Sequence, residues 1–168
     1  ATNAVTIGES ILEVEPSTRL KTSTAASIVD DTWLAPLSVL GEDASFAEFR
    51  RFHGHVEDAQ RLVEGVRRGF TIERRFEEQL RLQVLAALKD APRLRDPILL
   101  HGQSGTGKSI ALARLAFSVR NDRRYPVLVA IRASRLPAVD ELDEFCMRAE
   151  DAGAEATLVI CDANAQAA

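Results

Sequence analysis

Apolar positions along the chain follow three different rhythms. Near the N-terminus they come in short β-branched runs, Val5-Thr6-Ile7, Ile11-Leu12-Glu13-Val14 and Ser27-Ile28-Val29, broken by Gly8, Pro16 and Ser/Thr clusters; such runs predict short strands. Asp30-Asp31-Thr32-Trp33 followed by Pro36 is turn chemistry with one aromatic anchor. Over 44–68 the spacing is helical. Phe46, Phe49 and Phe52 sit three apart, and Val56, Ala59, Leu62, Val63 and Val66 continue the stripe beyond Gly54. At that spacing the phenylalanines are expected in the core rather than as a stacking platform for bases. Thr71 is expected to N-cap the longest helix, which runs to about Leu88. Ile72, Phe76, Leu80, Val84 and Leu88 recur every four residues there, Leu85 and Ala87 widen the buried face, and Glu77 and Arg81 stand four apart as a supporting pair. Pro92 ends it.

From Pro97 the third rhythm begins. Ile98-Leu99-Leu100 is a continuous apolar run of the kind found in strands covered on both faces. A helix from Lys108 to about Arg120 carries Ile110, Leu112, Ala113, Leu115, Ala116 and Val119. A second strand is Val127 to Ile131. Pro137 opens another helix, with Leu142, Phe145, Cys146 and Ala149 inward and Gly153 closing it. A third strand is Thr157 to Cys161. This alternation predicts an α/β fold, part of a doubly wound parallel sheet with right-handed crossovers. The expected organisation is a β-rich lead-in or end of a preceding domain over 1–43, a helical linker over 44–92, and the N-terminal half of the α/β domain over 93–168. The chain begins at Ala1 and ends in a soft Ala-Asn-Ala-Gln-Ala-Ala run, and it is expected to be a piece of a larger protein.

Composition narrows the function classes. The chain has 168 residues, 46% of them hydrophobic and 27% charged, with a mean hydropathy of −0.08. That is ordinary globular composition. No stretch approaches the ~18 uninterrupted apolar residues of a transmembrane helix, and no signal peptide is visible. A net charge of −4 argues against a basic face that coats nucleic acid. Cys146 and Cys161 lie in apolar sequence without metal-ligand spacing, and His53, His55 and His101 form no ligand set. Buried free thiols in the reducing cytoplasm are the expectation. Lysine is scarce, at 3 residues against 18 arginines, so each lysine position carries weight.

One lysine stands in Gly102-Gln103-Ser104-Gly105-Thr106-Gly107-Lys108-Ser109, a full match to G-x-x-x-x-G-K-[ST]. This composition produces that octapeptide by chance in roughly one such sequence per thousand. It also follows an apolar run and opens a helix. Glycines clear space for a polyphosphate close to the backbone, and the loop amides and helix N-terminus, including that of Ile110, attract anionic oxygens. Lys108 reaches the β- and γ-phosphates, and Ser109 offers a hydroxyl to Mg²⁺. Leu158-Val159-Ile160-Cys161-Asp162 is an apolar strand ending in a carboxylate, as in a Walker B segment. Strand C-termini face the ligand crevice in doubly wound sheets, so Asp162 is the second candidate ligand for Mg²⁺.

Residues 70–164 resemble the P-loop NTPases of the AAA+/STAND group, which includes signal-transducing ATPases of prokaryotic antiviral defence. The resemblance rests on the octapeptide, on Leu158–Asp162, and on Gly69-Phe70-Thr71-Ile72-Glu73-Arg74-Arg75, similar to a hydrophobic-Gly-Arg segment near the adenine. It implies adenine contacts from Phe70, Ile72 or Arg74, although Glu73 stands where the family has glycine. Family members also place an acidic residue soon after the Walker B aspartate. Here Ala163 and Asn164 follow; Asn164 is the catalytic candidate beside Lys108, as an amide able to orient water, and slow hydrolysis is expected. In the family a further strand separates the P-loop strand from the Walker B strand, so 98–100 is expected to lack a neighbour on that side.

The resemblance implies an ATP- and Mg²⁺-dependent signalling switch acting with other domains of a larger protein, with oligomer formation on activation. Two alternatives stay open. One is a nucleotide or small-molecule kinase, for which Arg123, Arg124, Arg132 and Arg135 are candidate acceptor-pocket residues. The other is a scaffold that binds nucleotide without turnover. The absence of an N/T-K-x-D segment favours adenine over guanine.

Overall fold

The computed structural model describes residues 3–14, 26–54, 58–90, 96–131 and 137–162. The first two β-branched runs form an antiparallel hairpin of β1 (Asn3–Ile7) and β2 (Ser10–Val14), in register from Asn3 opposite Val14 to Ile7 opposite Ser10. Gly8 makes the turn at φ 57°, the left-handed region that side chains with a Cβ enter at a cost. The third run, β3 (Ser27–Ile28), joins a different sheet. Asp30 then caps a short 3₁₀ turn (Asp31–Leu34), its carboxylate accepting from the Thr32 amide at 2.9 Å, and Trp33 is buried as the anchor.

Five helices and two further strands follow: α1 (Glu42–Gly54), α2 (Ala59–Arg67), α3 (Arg75–Lys89), α4 (Lys108–Asn121), β4 (Val127–Ala130), α5 (Val139–Asp151) and β5 (Leu158–Cys161). The second sheet has the order β3-β4-β5, with β3 antiparallel and β5 parallel to β4. All four residues of β4 are buried, and they alternate between two cores. Val127 and Val129 face α2, α3 and α4, while Leu128 and Ala130 face the hairpin and Phe145 and Ala149 of α5. A strand covered on both faces has no use for polar alternation, which is why this one is a continuous aliphatic run.

The fold is therefore mixed α/β, but the described residues do not form the expected doubly wound parallel sheet. Ile98-Leu99-Leu100 is not a strand. Leu100 packs on the core, whereas Ile98 is 46% and Leu99 79% exposed. An apolar run becomes a strand only when a neighbour takes its amides and carbonyls, and none of β3, β4 and β5 does so.

The helical expectations are corrected in three places. Residues 44–68 yield two helices, α2 starting where the Asp58 carboxylate accepts from the Arg61 amide at 2.8 Å; Val56 and His55 lie outside the described residues. Of the phenylalanine stripe only Phe52 reaches the core, its ring seated on Gly65 of α2, while Phe46 is 62% and Phe49 41% exposed. Three-residue spacing drifts around a helix, so Phe46 and Phe52 point about 120° apart. In α3, Leu80, Val84 and Leu88 are buried as expected, but the helix starts at Arg75 and Thr71 does not cap it. Glu77 turns inward, and Arg81 bonds Glu78 instead, at 2.8 and 2.7 Å. Arg123 and Arg124 fall in the turn after α4, and Pro92, Arg132 and Arg135 lie outside the described residues. The thiols are less buried than expected: Cys146 is half-buried and Cys161 exposed.

At the end of α4, Arg120 is completely buried. Its Nε donates to the Val29 carbonyl at 2.9 Å, Nη1 to the Thr6 carbonyl at 2.8 Å, and Nη2 to the Asp31 carboxylate at 2.6 Å. Burial pushes this guanidinium below its ordinary pKa, against the attraction of Asp31. Arg120→Ala is expected to cost about 3–5 kcal/mol, because it leaves a carboxylate and two carbonyls without their donor. Arg120→Lys should recover little, since an ammonium cannot span three acceptors. Urea denaturation checks both; a loss below about 1 kcal/mol, the size of an exposed ion pair, would remove Arg120 as the anchor.

Candidate functional site

The glycine-rich segment is a loop that ends in a helix start. Gly107, the residue before α4, sits at φ 84° and ψ 23°, and Gly105 at φ 78°; both values belong to the left-handed region. The Ala111 amide donates to the Gly107 carbonyl at 3.0 Å. The amides of Lys108, Ser109 and Ile110, one turn earlier, have no acceptor within the helix. Two side chains close the loop on itself. Thr106 Oγ1 donates to the Gln103 carbonyl at 2.8 Å, and Lys108 Nζ donates to the carbonyls of Gly102 at 2.9 Å and Gln103 at 2.8 Å. Ser104 lies exposed at the loop tip. The result is a ring of backbone with a helix N-terminus and an ammonium on it, an arrangement suited to anionic oxygens.

Asp162 meets this loop although it lies 53 positions beyond Ser109 in the chain. Parallel pairing of β4 with β5 continues one residue past the strand, where the Asp162 amide donates to the Ala130 carbonyl at 3.0 Å. The carboxylate then lies within reach of α4, and Ser109 Oγ donates to Asp162 Oδ2 at 3.1 Å. A hydroxyl and a carboxylate side by side are hard oxygen donors that fit Mg²⁺, which takes one or two protein ligands and fills its shell with water and phosphate oxygens. Among the described residues no group of three or more His, Cys, Asp or Glu is placed to hold a metal. Asn164, the other catalytic candidate, lies outside the described residues.

Of the three residues expected near an adenine, only Arg74 is at the loop: its guanidinium packs against Gly107, in the space a Cβ would need. Phe70 instead stacks edge-on with Phe49, ring centroids 5.7 Å apart, and Ile72 is 86% exposed. What sequence reasoning missed is the bond network behind Arg74. Glu77 is buried; its Oε1 accepts from the Arg74 amide at 3.3 Å and its Oε2 from Arg114 Nε at 2.6 Å. Arg114 Nη2 also donates to Thr71 Oγ1 at 2.6 Å, which occupies the hydroxyl that would have capped α3. The available signal was a lone arginine in the otherwise apolar Ile110–Phe117 stretch.

Arg123 and Arg124 stand at the opposite end of α4, roughly 20 Å from the loop by helix rise. Two recesses lie elsewhere. One of about 350 Å³ is lined by Ser38, Arg51, Phe52, Arg68 and Phe70, and one of about 400 Å³ between α2, α3 and α4 includes Glu77 and Arg114.

Burial pushes the Cys146 thiol up from its ordinary value. Its thiolate fraction at pH 8 is therefore below that of a free cysteine. In a Cys161→Ser background, alkylation of the folded protein at pH 8 should be slower than in the denatured protein, and its rise with pH should be displaced to higher pH; iodoacetamide kinetics against a denatured control check this, and equal rates would contradict it. The chain matches no protein-family model, no curated protein and no solved structure.

Proposed function

We propose that this protein binds a purine nucleoside triphosphate, ATP with Mg²⁺, through residues 102–110 and works as a nucleotide-dependent signalling switch. The observation that carries the proposal is the Ser109–Asp162 hydrogen bond. A fortuitous glycine-rich turn has no reason to bring a helix-start hydroxyl to a carboxylate at the end of a parallel strand.

The chain's own groups have distinct roles in this reading. The amides at the start of α4 and the dipole behind them receive phosphate oxygens. Lys108 exchanges the carbonyls of Gly102 and Gln103 for the β- and γ-phosphates. Ser109 and Asp162 hold Mg²⁺, which when bound neutralises part of the charge on those phosphates. The finer fold belongs to the same proposal: 98–100, which lies outside the sheet in this structure, pairs as the strand leading into the loop only once another segment covers it, and the exposed Ile98 and Leu99 are the surface such a segment would cover. Other domains and other copies of the protein, in the cytoplasm, are the partners such a switch implies.

ATP·Mg²⁺ at about a hundred times its Kd should stabilise the fold by about 2.7 kcal/mol. For a chain of this size that raises the melting temperature by about 5–10 °C. Lys108→Ala should abolish the shift, and an undiminished shift in that variant would sink the assignment. Asp162→Asn should weaken binding about tenfold or more with Mg²⁺ present, and much less in EDTA, as measured by calorimetry.

A second reading, binding without turnover, is favoured by the absence of a carboxylate at 163 and 164. It predicts saturable ATP binding with phosphate release no faster than from Lys108→Ala. Release well above that background selects the ATPase.

A further inference from the structure

Arg74 occupies an unusual place. It precedes the first residue of α3, yet its guanidinium lies on Gly107, the residue that precedes the first residue of α4. Two helix starts are thus brought together, with a cation between them. A glycine is required at 107 on two counts: the backbone is left-handed there, and a Cβ would collide with Arg74.

The charge balance around Arg74 is equally specific. Two carboxylates of α3 are engaged elsewhere, Glu77 with Arg114 at 2.6 Å and Glu78 with Arg81 at 2.7 Å. Among the described residues, Arg74 itself forms no ion pair. Its backbone is nevertheless held firmly. Glu77, whose side chain is 4% exposed, accepts from the Arg74 amide, and Arg114 bridges Glu77 to Thr71. Because Arg114 belongs to α4, the helix that carries the loop also sets the distance from the loop to Arg74. A buried carboxylate costs stability unless fully paired, so this network is a substantial investment in placing one exposed segment.

We infer that Arg74 is a second phosphate-binding cation of this site, positioned by the Glu77–Arg114–Thr71 network. The inference rests on the proposed nucleotide-binding role of the loop. Lys108 is folded over the carbonyls of Gly102 and Gln103, and Arg74 lies on Gly107, so the two cations touch different residues of the loop. The ligand class is the polyphosphate end of the nucleotide, which a guanidinium fork can take two oxygens at a time. The base is not involved. Occupancy of the loop is then felt at the N-terminus of α3, which gives the switch its first moving contact.

The test uses Mg²⁺ complexes of ATP and of inorganic tripolyphosphate, titrated into the parent, Arg74→Ala, Arg74→Lys and Lys108→Ala. Arg74→Ala should melt at the parent's temperature without ligand and bind both probes about 10–100-fold more weakly, the range for a charged hydrogen bond. Arg74→Lys should regain only part of the loss. Arg114→Ala should weaken ATP in the parent and add nothing in the Arg74→Ala background, because its effect passes through Arg74. Parent-like binding by Arg74→Ala, with Lys108→Ala defective, overturns the Arg74 assignment and leaves the site intact. Loss of ATP but not of tripolyphosphate makes Arg74 a base contact and overturns it too. Additive losses for Arg114 and Arg74 overturn the positioning role. Parent-like binding by Lys108→Ala removes the site reading itself.

Discussion

The buried guanidinium of Arg120 decides where α4 lies, and with it the direction in which the loop points. A charge at zero exposure is tolerable only because three acceptors from three different segments converge on it: Thr6 in the hairpin, Val29 beside β3 and Asp31 in the 3₁₀ turn. Each acceptor is a fixed point on the N-terminal region. A rigid helix about 20 Å long carries that constraint to its other end, where Gly107 and Lys108 begin. Residues remote from the loop thereby set its geometry.

Along α4 the polar side chains are spaced like stations on an axle. Lys108 and Ser109 serve the loop, Arg114 ties the segment before α3, and Arg120 anchors the hairpin and β3. Between them Ala113, Leu115, Ala116 and Val119 fill the core shared with α2, α3 and one face of β4. Small side chains at 113 and 116 let neighbouring helices approach closely, and that closeness in turn brings Arg114 to Glu77. Packing and electrostatics are not separable here, because the apolar contacts bring the charges within bonding distance and the charges fix the helix register.

The second face of β4 has a different role. Leu128 and Ala130 are covered by the hairpin and α5, so β4 is held from both sides and β5 is aligned beside it in parallel. That alignment is what delivers Asp162 to Ser109. The sheet thus supplies the carboxylate and α4 supplies the hydroxyl, each through its own core. By contrast α1 contributes no buried residue and attaches mainly through Phe52 on Gly65.

Local spacing alone determined a good deal. The octapeptide marked a loop at a helix start, aliphatic runs marked β4 and β5, and four-residue periodicity marked Leu80, Val84 and Leu88 on the buried face of α3, although Ile72 and Phe76 of the same series are exposed. These are short-range properties, carried by backbone conformational preference and by which side of an element is apolar. Only the tertiary structure decided the rest. Ile98-Leu99-Leu100 has strand composition, but strand formation requires a partner, and composition does not say whether one is present. Phe46 and Phe49 have core chemistry, yet only a neighbouring helix could bury them. Glu77 has a surface partner four residues on in Arg81, but it takes Arg114, 37 positions away, because burial favours a charge that is fully paired over one shared with water. Long-range pairing of this kind leaves no periodic trace along a chain, and that is why Arg74's place on Gly107 became visible only once the helices were packed.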